Sequence, residues 1–270
     1  MRAWRWIGGA KLPLAEEGAA AAGLWEAGAS AVWVDGDDLV GYFDDHGEGT
    51  PPGDGRWEEI PDVDHVGAYL AALGPVDAGA LVVAPTHREV TLRPGQQVVW
   101  LDPGMAFGSG HHETTRMVLE TLSELPLVGR RVLDVGAGSG VLAIAADRLG
   151  AVDACGLDVD PATLPVARAN AVRNRSRARF WEGGFGDAPL PGPFDVVLAN
   201  LTAELHVASL AGYSAFTTPG ADLLLSGILE PRDALVRAAL AAQPADGPRF
   251  SLVADRRDGD WWLLHLRREA

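Results

Sequence analysis

The chain has 270 residues, 47% of them hydrophobic, with 37 acidic against 22 basic side chains and a net charge of −15. That size suits one large domain or a large and a small one, and no apolar run reaches the roughly 18 residues of a membrane span. A single cysteine, Cys155, excludes an internal disulfide and a cysteine-rich metal site, and the acidic balance argues against direct nucleic-acid binding, which needs a basic patch.

The start, MRAWRWIGGAKLPLAEE, lacks an apolar h-region and carries acids early, so it does not read as a signal peptide, and a cytoplasmic protein is expected. Residues 3–7 alternate and predict a strand. Leu14 to Ala27 is rich in Ala and Glu and predicts a helix. ASAVWVDGDDLVGYFDD then shows two short β-rich runs around Asp35, Gly36, Asp37 and Asp38, a hairpin signal. A small α+β unit over residues 1–60 is therefore expected. It holds twelve acids and four bases, a surface that would attract a basic partner and speed its encounter. Gly47 to Gly55 is a loop by composition, and Val63 to Leu73 predicts a short connecting helix within a linker over 61–77.

From residue 78 to 270 the texture changes. LVVAP (81–85), QVVWL (97–101), RVLDV (131–135), VDACGLDV (152–159), ARFWEG (178–183), FDVVLAN (194–200) and ADLLLSG (221–227) predict strands, with helices between most of them. This is the βαβ pattern of an open, mostly parallel sheet with helices on both faces. FSLVADRRDGDWWLLHLRR predicts an antiparallel hairpin that closes the sheet.

VLDVGAGSGVLAIAADRLGA (132–151) reads as strand, glycine turn and helix, with Gly136, Gly138 and Gly140 in the turn. Glycines permit the tight turn and a close ligand approach. Asp158 ends the next strand, at a spacing where an acid can accept hydrogen bonds from ribose hydroxyls. Val141 stands where a dinucleotide fingerprint needs glycine, and no lysine completes a phosphate loop. Asp134 lies just before the turn, where a carboxylate would oppose a pyrophosphate and favour a cationic aminoacyl group. The pattern resembles the class I methyltransferases, which bind S-adenosylmethionine. In that fold Asn200 would sit at the end of the fourth strand, beside the reactive methyl group, as an Asn or Asp does in enzymes that methylate nitrogen.

His111 and His112 invite a metal reading, but H-E-x-x-H needs histidine where Arg116 stands, and adjacent histidines cannot share one helix face. No metal is expected. The fourteen residues DPGMAFGSGHHETT (102–115) instead resemble the signature D-P-G-x-A-F-G-T-G-x-H-x-T-T of the bacterial ribosomal protein L11 methyltransferases. Asp102, Pro103, Gly104, Ala106, Phe107, Gly108, Gly110, His112, Thr114 and Thr115 match it, and Ser109 replaces a threonine while keeping the hydroxyl. GLDVDP (156–161), NLTAELH (200–206) and WWLLHL (261–266) also fit.

The resemblance implies a ferredoxin-like recognition domain (1–60), a linker helix (61–77) and a Rossmann-like methyltransferase domain (78–270). It implies a substrate that is a basic protein of the large ribosomal subunit, methylated on lysine side chains and the N-terminal amine up to trimethylation; a monomer is expected. Thr115, Gly136, Asp158 and Asn200 would contact S-adenosylmethionine, with Asp134 and Gly138 completing the cofactor site, and Phe107 would close over the methionine end. Asn200 is the expected catalytic residue, with no dedicated strong base. A proton relay through His111 or His112 and a purely structural role for them both stay open. An N-methyltransferase acting on RNA or on another amine is the alternative, although Leu201, Thr202 and Ala203 follow Asn200 where such enzymes usually carry Pro-Pro-aromatic.

Overall fold

The structure is a computed structural model that describes residues 2–8, 23–24, 27–29, 31–35, 37–43, 51, 53–59, 73–101, 110–244 and 246–269. The chain divides into two compact units, residues 1–69 and 70–270.

In the first unit, strands β1 (Arg2–Trp6), β2 (Ala31–Asp35), β3 (Asp38–Phe43) and β4 (Gly55–Glu59) form an antiparallel sheet in the order β2-β3-β1-β4. The first strand lies inside the sheet, the order of a ferredoxin-like unit. The predicted hairpin is present, with Asp35 opposite Asp38. Period-2 alternation places Trp4, Trp6, Leu39 and Phe43 on one face, where they pack with Leu24. Trp57 meets Trp4 and Phe43 edge-on, with ring centroids 5.4 and 5.1 Å away. Most of the helix predicted over 14–27, and the connecting helix over 63–73 apart from Leu73, lie outside the described residues.

The second unit opens with β5 (Val76–Ala78), β6 (Leu81–Pro85) and β7 (Gln97–Leu101). They form their own three-stranded sheet in the order β5-β6-β7. This differs from the expectation that LVVAP and QVVWL begin the main βαβ series. β6 and β7 do run parallel, but residues 86–96 between them hold no helix that could cover a larger sheet. The end of the predicted linker helix, from Val76, is likewise strand.

The main sheet has seven strands: β8 (Arg131–Val135), β9 (Asp153–Asp158), β10 (Arg179–Glu182), β11 (Phe194–Asn200), β12 (Thr217–Leu229), β13 (Phe250–Asp258) and β14 (Trp261–Arg268). Their order is β10-β9-β8-β11-β12-β14-β13, parallel except for the last two pairings, so the C-terminal hairpin closes one edge as predicted. The helices are α1 (Glu113–Glu124), α2 (Val141–Arg148), α3 (Thr163–Arg173), α4 (Ala203–Phe216) and α5 (Asp233–Ala241).

Alternation along the strands builds two apolar layers. Val132, Val196, Leu198 and Leu224 face the layer of α1, α2 and α3, with the small sheet joined to it. Leu133, Val135, Val197, Leu223 and Leu225 face α4 and α5. Burial on both faces explains why these strands read as continuous apolar runs. At the far end of the sheet, buried Asp222 accepts from His265 Nε2 (2.8 Å), Arg267 Nη2 (2.6 Å) and Arg130 Nη1 (2.6 Å). Burial opposes its charge, but these three donors prevail and hold the carboxyl well below the usual carboxylate range.

β8 and β11 are neighbours in the sheet although β9 and β10 lie between them in sequence, so successive crossovers leave β8 in opposite directions. Such a switch point opens a crevice beyond the carboxyl ends of the strands.

Candidate functional site

A cleft of about 560 Å³ occupies that crevice. Its floor is the turn after β8. Gly136, Gly138 and Gly140 there have φ of +74°, +49° and +80°. Side chains other than glycine rarely adopt such angles. Gly136 and Ala137 both donate to the carbonyl of Leu157 at the end of β9 (2.9 and 3.0 Å), which ties the turn to the neighbouring strand. A Cβ on Gly136 would lie 2.6 Å from Leu201 Cδ2, so the missing side chain keeps the cradle between turn and β11 open.

Asp158 ends β9 and lines the cleft. Its Oδ2 accepts from Gly138 N (2.8 Å) and its Oδ1 from Asp160 N (3.0 Å). Both oxygens are thereby aimed, and each keeps lone-pair capacity for a further donor. Asn200 ends β11 on the other side of the switch point and also lines the cleft. Its Nδ2 donates to Thr114 Oγ1 and Thr115 Oγ1, both at 3.1 Å. Among the described residues no donor reaches its Oδ1, the one free polar atom of the amide.

Asp134 and Thr115 stand behind this surface, each 1% exposed. Asp134 Oδ2 accepts from Ala143 N (3.3 Å), while Oδ1 is buried with no hydrogen-bond partner among the described residues. Burial pushes this carboxyl up to about 7, the Ala143 amide pulls it down in part, and the nearby Asp158 charge adds to the rise. A buried carboxylate with one orphan oxygen is costly by itself and fits a ligand that brings positive charge to the turn. The arrangement therefore matches a nucleoside with a cationic tail: a carboxylate to accept from hydroxyls, a bare turn for close approach, and behind it an acid that no cation among the described residues balances. Phe107, with the rest of 102–109, lies outside the described residues.

Neither histidine of the pair lies in a metal cluster, and no group of three His, Cys, Asp or Glu able to hold a metal occurs among the described residues. His111 Nε2 contacts the carbonyl of Gly74 (2.8 Å). His112 is the N-cap of α1. Cys155 is buried, and burial pushes its thiol up to about 12, which leaves it inert as a nucleophile.

Sequence reasoning missed several residues of the cleft. Val159 and Asp160 follow β9, and Gly184 and Phe185 follow β10. The signal was available, because both pairs sit just past the carboxyl ends of parallel strands. Thr114 was missed as a partner of Asn200, and Gly227 as its neighbour. A bulge in β12 between Leu225 and Ile228 leaves Gly227 at φ +83°, where a Cβ would stand 2.8 Å from Asn200 Oδ1 and 2.5 Å from the Leu201 carbonyl oxygen. Behind α4's first turn, His206 is buried and held neutral, its imidazole lowered to about 4 by desolvation. Its Nε2 lies 2.8 Å from the Ser226 carbonyl, which also accepts from Leu201 N (3.0 Å) and so anchors the end of β11.

Residues 29–269 match the family model described as ribosomal protein L11 methyltransferase (PrmA). The ribosomal protein L11 methyltransferase of Deinococcus radiodurans is 45% identical over 254 residues, covering 91% of this chain and 93% of that protein. The one of Thermus thermophilus is 43% identical over 251 residues, again 91% and 93% of the two chains. Among solved structures, a ribosomal protein L11 methylase from Lactobacillus delbrueckii subsp. bulgaricus superposes with a TM-score of 0.66 at 26% identity, over 73% of this chain and all of that one. The T. thermophilus 16S rRNA N2 G1207 methyltransferase, solved with AdoMet and guanosine, shares the fold at 21% identity with a TM-score of 0.50, over 63% of this chain and 46% of that one.

Proposed function

The chain belongs to the ribosomal protein L11 methyltransferase family, and on that premise we propose that it methylates ribosomal protein L11 on lysine side-chain and N-terminal amines, up to the trimethylated products. It is an S-adenosylmethionine-dependent methyltransferase of class I fold. We place it in the cytoplasm as a monomer, with residues 1–60 as the unit that recognises the basic substrate. No helix among the described residues is long and apolar enough to cross a membrane.

The observation that carries the reading is the Asn200 amide at the switch point, where Asn200 lines the cleft, its Nδ2 donates to both threonines and its Oδ1 takes no donor among the described residues. Asp158 is the residue to take ribose hydroxyls. The turn from Gly136 to Gly140 lets a nucleoside come close, with Thr115 steadying Asn200 behind it. Asp134 balances the positive tail, and Phe107 belongs to the loop proposed to close over it. Bound in this cleft, S-adenosylmethionine supplies an electrophilic methyl group on a positively charged sulfur.

The remaining work is positioning and proton loss at the acceptor amine. A lysine with pKa near 10.4 costs roughly 4.6 kcal/mol to neutralise at pH 7, an α-amine near 7.8 only about 1 kcal/mol. Desolvation in a cleft that already holds positive charge lowers the lysine's penalty, so a strong base is not required. Asn200 Oδ1 accepts one N–H of the neutral amine and aims its lone pair. Well-oriented reactants gain roughly 7–11 kcal/mol from such placement.

The test incubates the enzyme and labelled cofactor with separated ribosomal proteins and ribosomal RNA. Label is expected in protein L11 alone, and Asn200→Ala should lose transfer while retaining cofactor affinity and fold. Label in RNA would support the alternative substrate, and full activity in Asn200→Ala would refute the role given to the amide.

A further inference from the structure

The contacts at the start of α1 settle which way round the Asn200 amide stands. The N-cap residue His112 has φ −72° and ψ 139°, and its Nδ1 takes the backbone N–H of Thr114 at 3.3 Å. An imidazole nitrogen that accepts carries a lone pair, so the ring proton resides on Nε2. Nδ1 also lies 2.8 Å from Thr114 Oγ1. With Nδ1 an acceptor, this second contact has one possible direction: the hydroxyl donates to the ring. The hydroxyl proton is then committed, and Thr114 Oγ1 offers only lone pairs to the Asn200 group 3.1 Å away. That group must be Nδ2, which turns Oδ1 away from the threonines on a residue that lines the cleft.

Thr115 cannot make this choice, because its hydroxyl at 3.1 Å can rotate to serve either end of the amide. Both threonines are 1% exposed. The Thr114 backbone is pinned separately, its carbonyl accepting from Ser226 Oγ at 3.0 Å. Trp261 stands edge-on to the His112 ring with centroids 4.9 Å apart. Glu113 Oε2 is 3.7 Å from Nδ1, outside hydrogen-bond reach.

We infer that His112 is a positioning residue: through the Thr114 hydroxyl it fixes the orientation of the Asn200 amide, and it carries no proton to or from the reacting amine. The inference rests on the methyl-transfer reading for its kinetic consequence, while its structural consequence can be measured without any turnover.

Four variants separate the roles. His112→Asn places a side-chain oxygen acceptor close to where Nδ1 stands and is a favoured helix N-cap. His112→Ala removes the acceptor. Thr114→Ser keeps the hydroxyl and Thr114→Val removes it at nearly constant shape. Cofactor affinity by calorimetry and melting temperature identify variants that are merely unfolded. In folded protein, His112→Ala and Thr114→Val should lower kcat by roughly 10- to 100-fold with KM for the protein substrate little changed, as expected for a misaimed group. His112→Asn and Thr114→Ser should recover most of that loss.

The second readout is side-chain amide NMR of Asn200 in the cofactor-free enzyme. Its Nδ2 protons should show contacts to Thr114 and slow exchange in the wild type, His112→Asn and Thr114→Ser, and lose both in His112→Ala and Thr114→Val. If His112→Asn is as slow as His112→Ala while the NMR pattern is retained, the ring is needed for its proton and the inference fails. Unchanged NMR contacts in His112→Ala would equally overturn it, even if the wild-type enzyme transferred no methyl group to the substrate proposed above.

Discussion

Gly227→Ala should remove most of the activity and a small part of the stability. The glycine sits at the β12 bulge with φ +83°. An alanine at such an angle costs about 1–2 kcal/mol from backbone sterics alone. Its Cβ would also stand 2.5 Å from the Leu201 carbonyl oxygen, 2.8 Å from Asn200 Oδ1 and 3.0 Å from Leu201 N. Ordinary contact begins at 3.4 Å, so the Leu201 carbonyl must retreat by about 0.9 Å or Gly227 must. Asn200 and Leu201, the residues met by that Cβ, stand at the end of β11, from which the proposed mechanism aims the amine. A displacement of about 1 Å there can cost roughly 100-fold in rate. The melting temperature should fall by roughly 2–8 °C for a protein of this size.

The control is Gly220→Ala in the same strand, with φ +79° and nothing within 4 Å of its Cβ. It pays the backbone strain without the collision. The assay is kcat for methyl transfer with melting followed by circular dichroism. If Gly227→Ala turns over within about twofold of wild type, or if Gly220→Ala loses as much, the collision with Asn200 and Leu201 is not what keeps position 227 a glycine.

Asp134→Asn should raise the melting temperature of the cofactor-free protein at pH 8 and weaken cofactor binding, both readable by calorimetry. The sign follows from a carboxyl lifted by burial to about 7 in the folded state, against about 3.9 when unfolded. Its contribution to stability is full below the unfolded value and is lost as pH rises through 7, so the neutral amide gains most above that pH. A variant no more stable than wild type at pH 8 would contradict an uncompensated charge. Asp222→Asn should cost about 1.5–3 kcal/mol at pH 7, because part-exposed Arg130 and Arg267, and His265, lose their shared charged acceptor. The carboxyl is held below the usual range, so its contribution is present above pH 4 and fades as pH falls toward the folded value. Equal denaturation midpoints at pH 7 would refute this.

Much of the fold was legible because its signals are local. Apolar runs of strand length, a glycine turn between strand and helix, and acids at strand ends follow one another in sequence at spacings set by the backbone repeat. Asp158 and Asn200 were readable for the same reason, since the carboxyl end of a parallel strand in such a sheet is where ligands bind. The separate sheet of β6 and β7 was not readable. LVVAP and QVVWL have the same apolar pattern as the strands of the main sheet, and that pattern does not name the strands they pair with.

Local pattern was therefore enough to name the class of cofactor, the position of the glycine turn and the residue types available at the switch point. Tertiary structure alone decided which atoms of those residues find a partner among the described ones. Thr114 and Asn200 are 86 residues apart, and their contact depends on how the first turn of α1 lies over the end of β11. The bulge that brings Gly227 against Asn200 is a property of the β12–β14 register, and the orphan oxygen of Asp134 depends on what packs around it. Hydrogen-bond direction and close approach act over about 3 Å between groups distant in the chain. The one-dimensional pattern names those groups, and only the packed fold brings them within that distance.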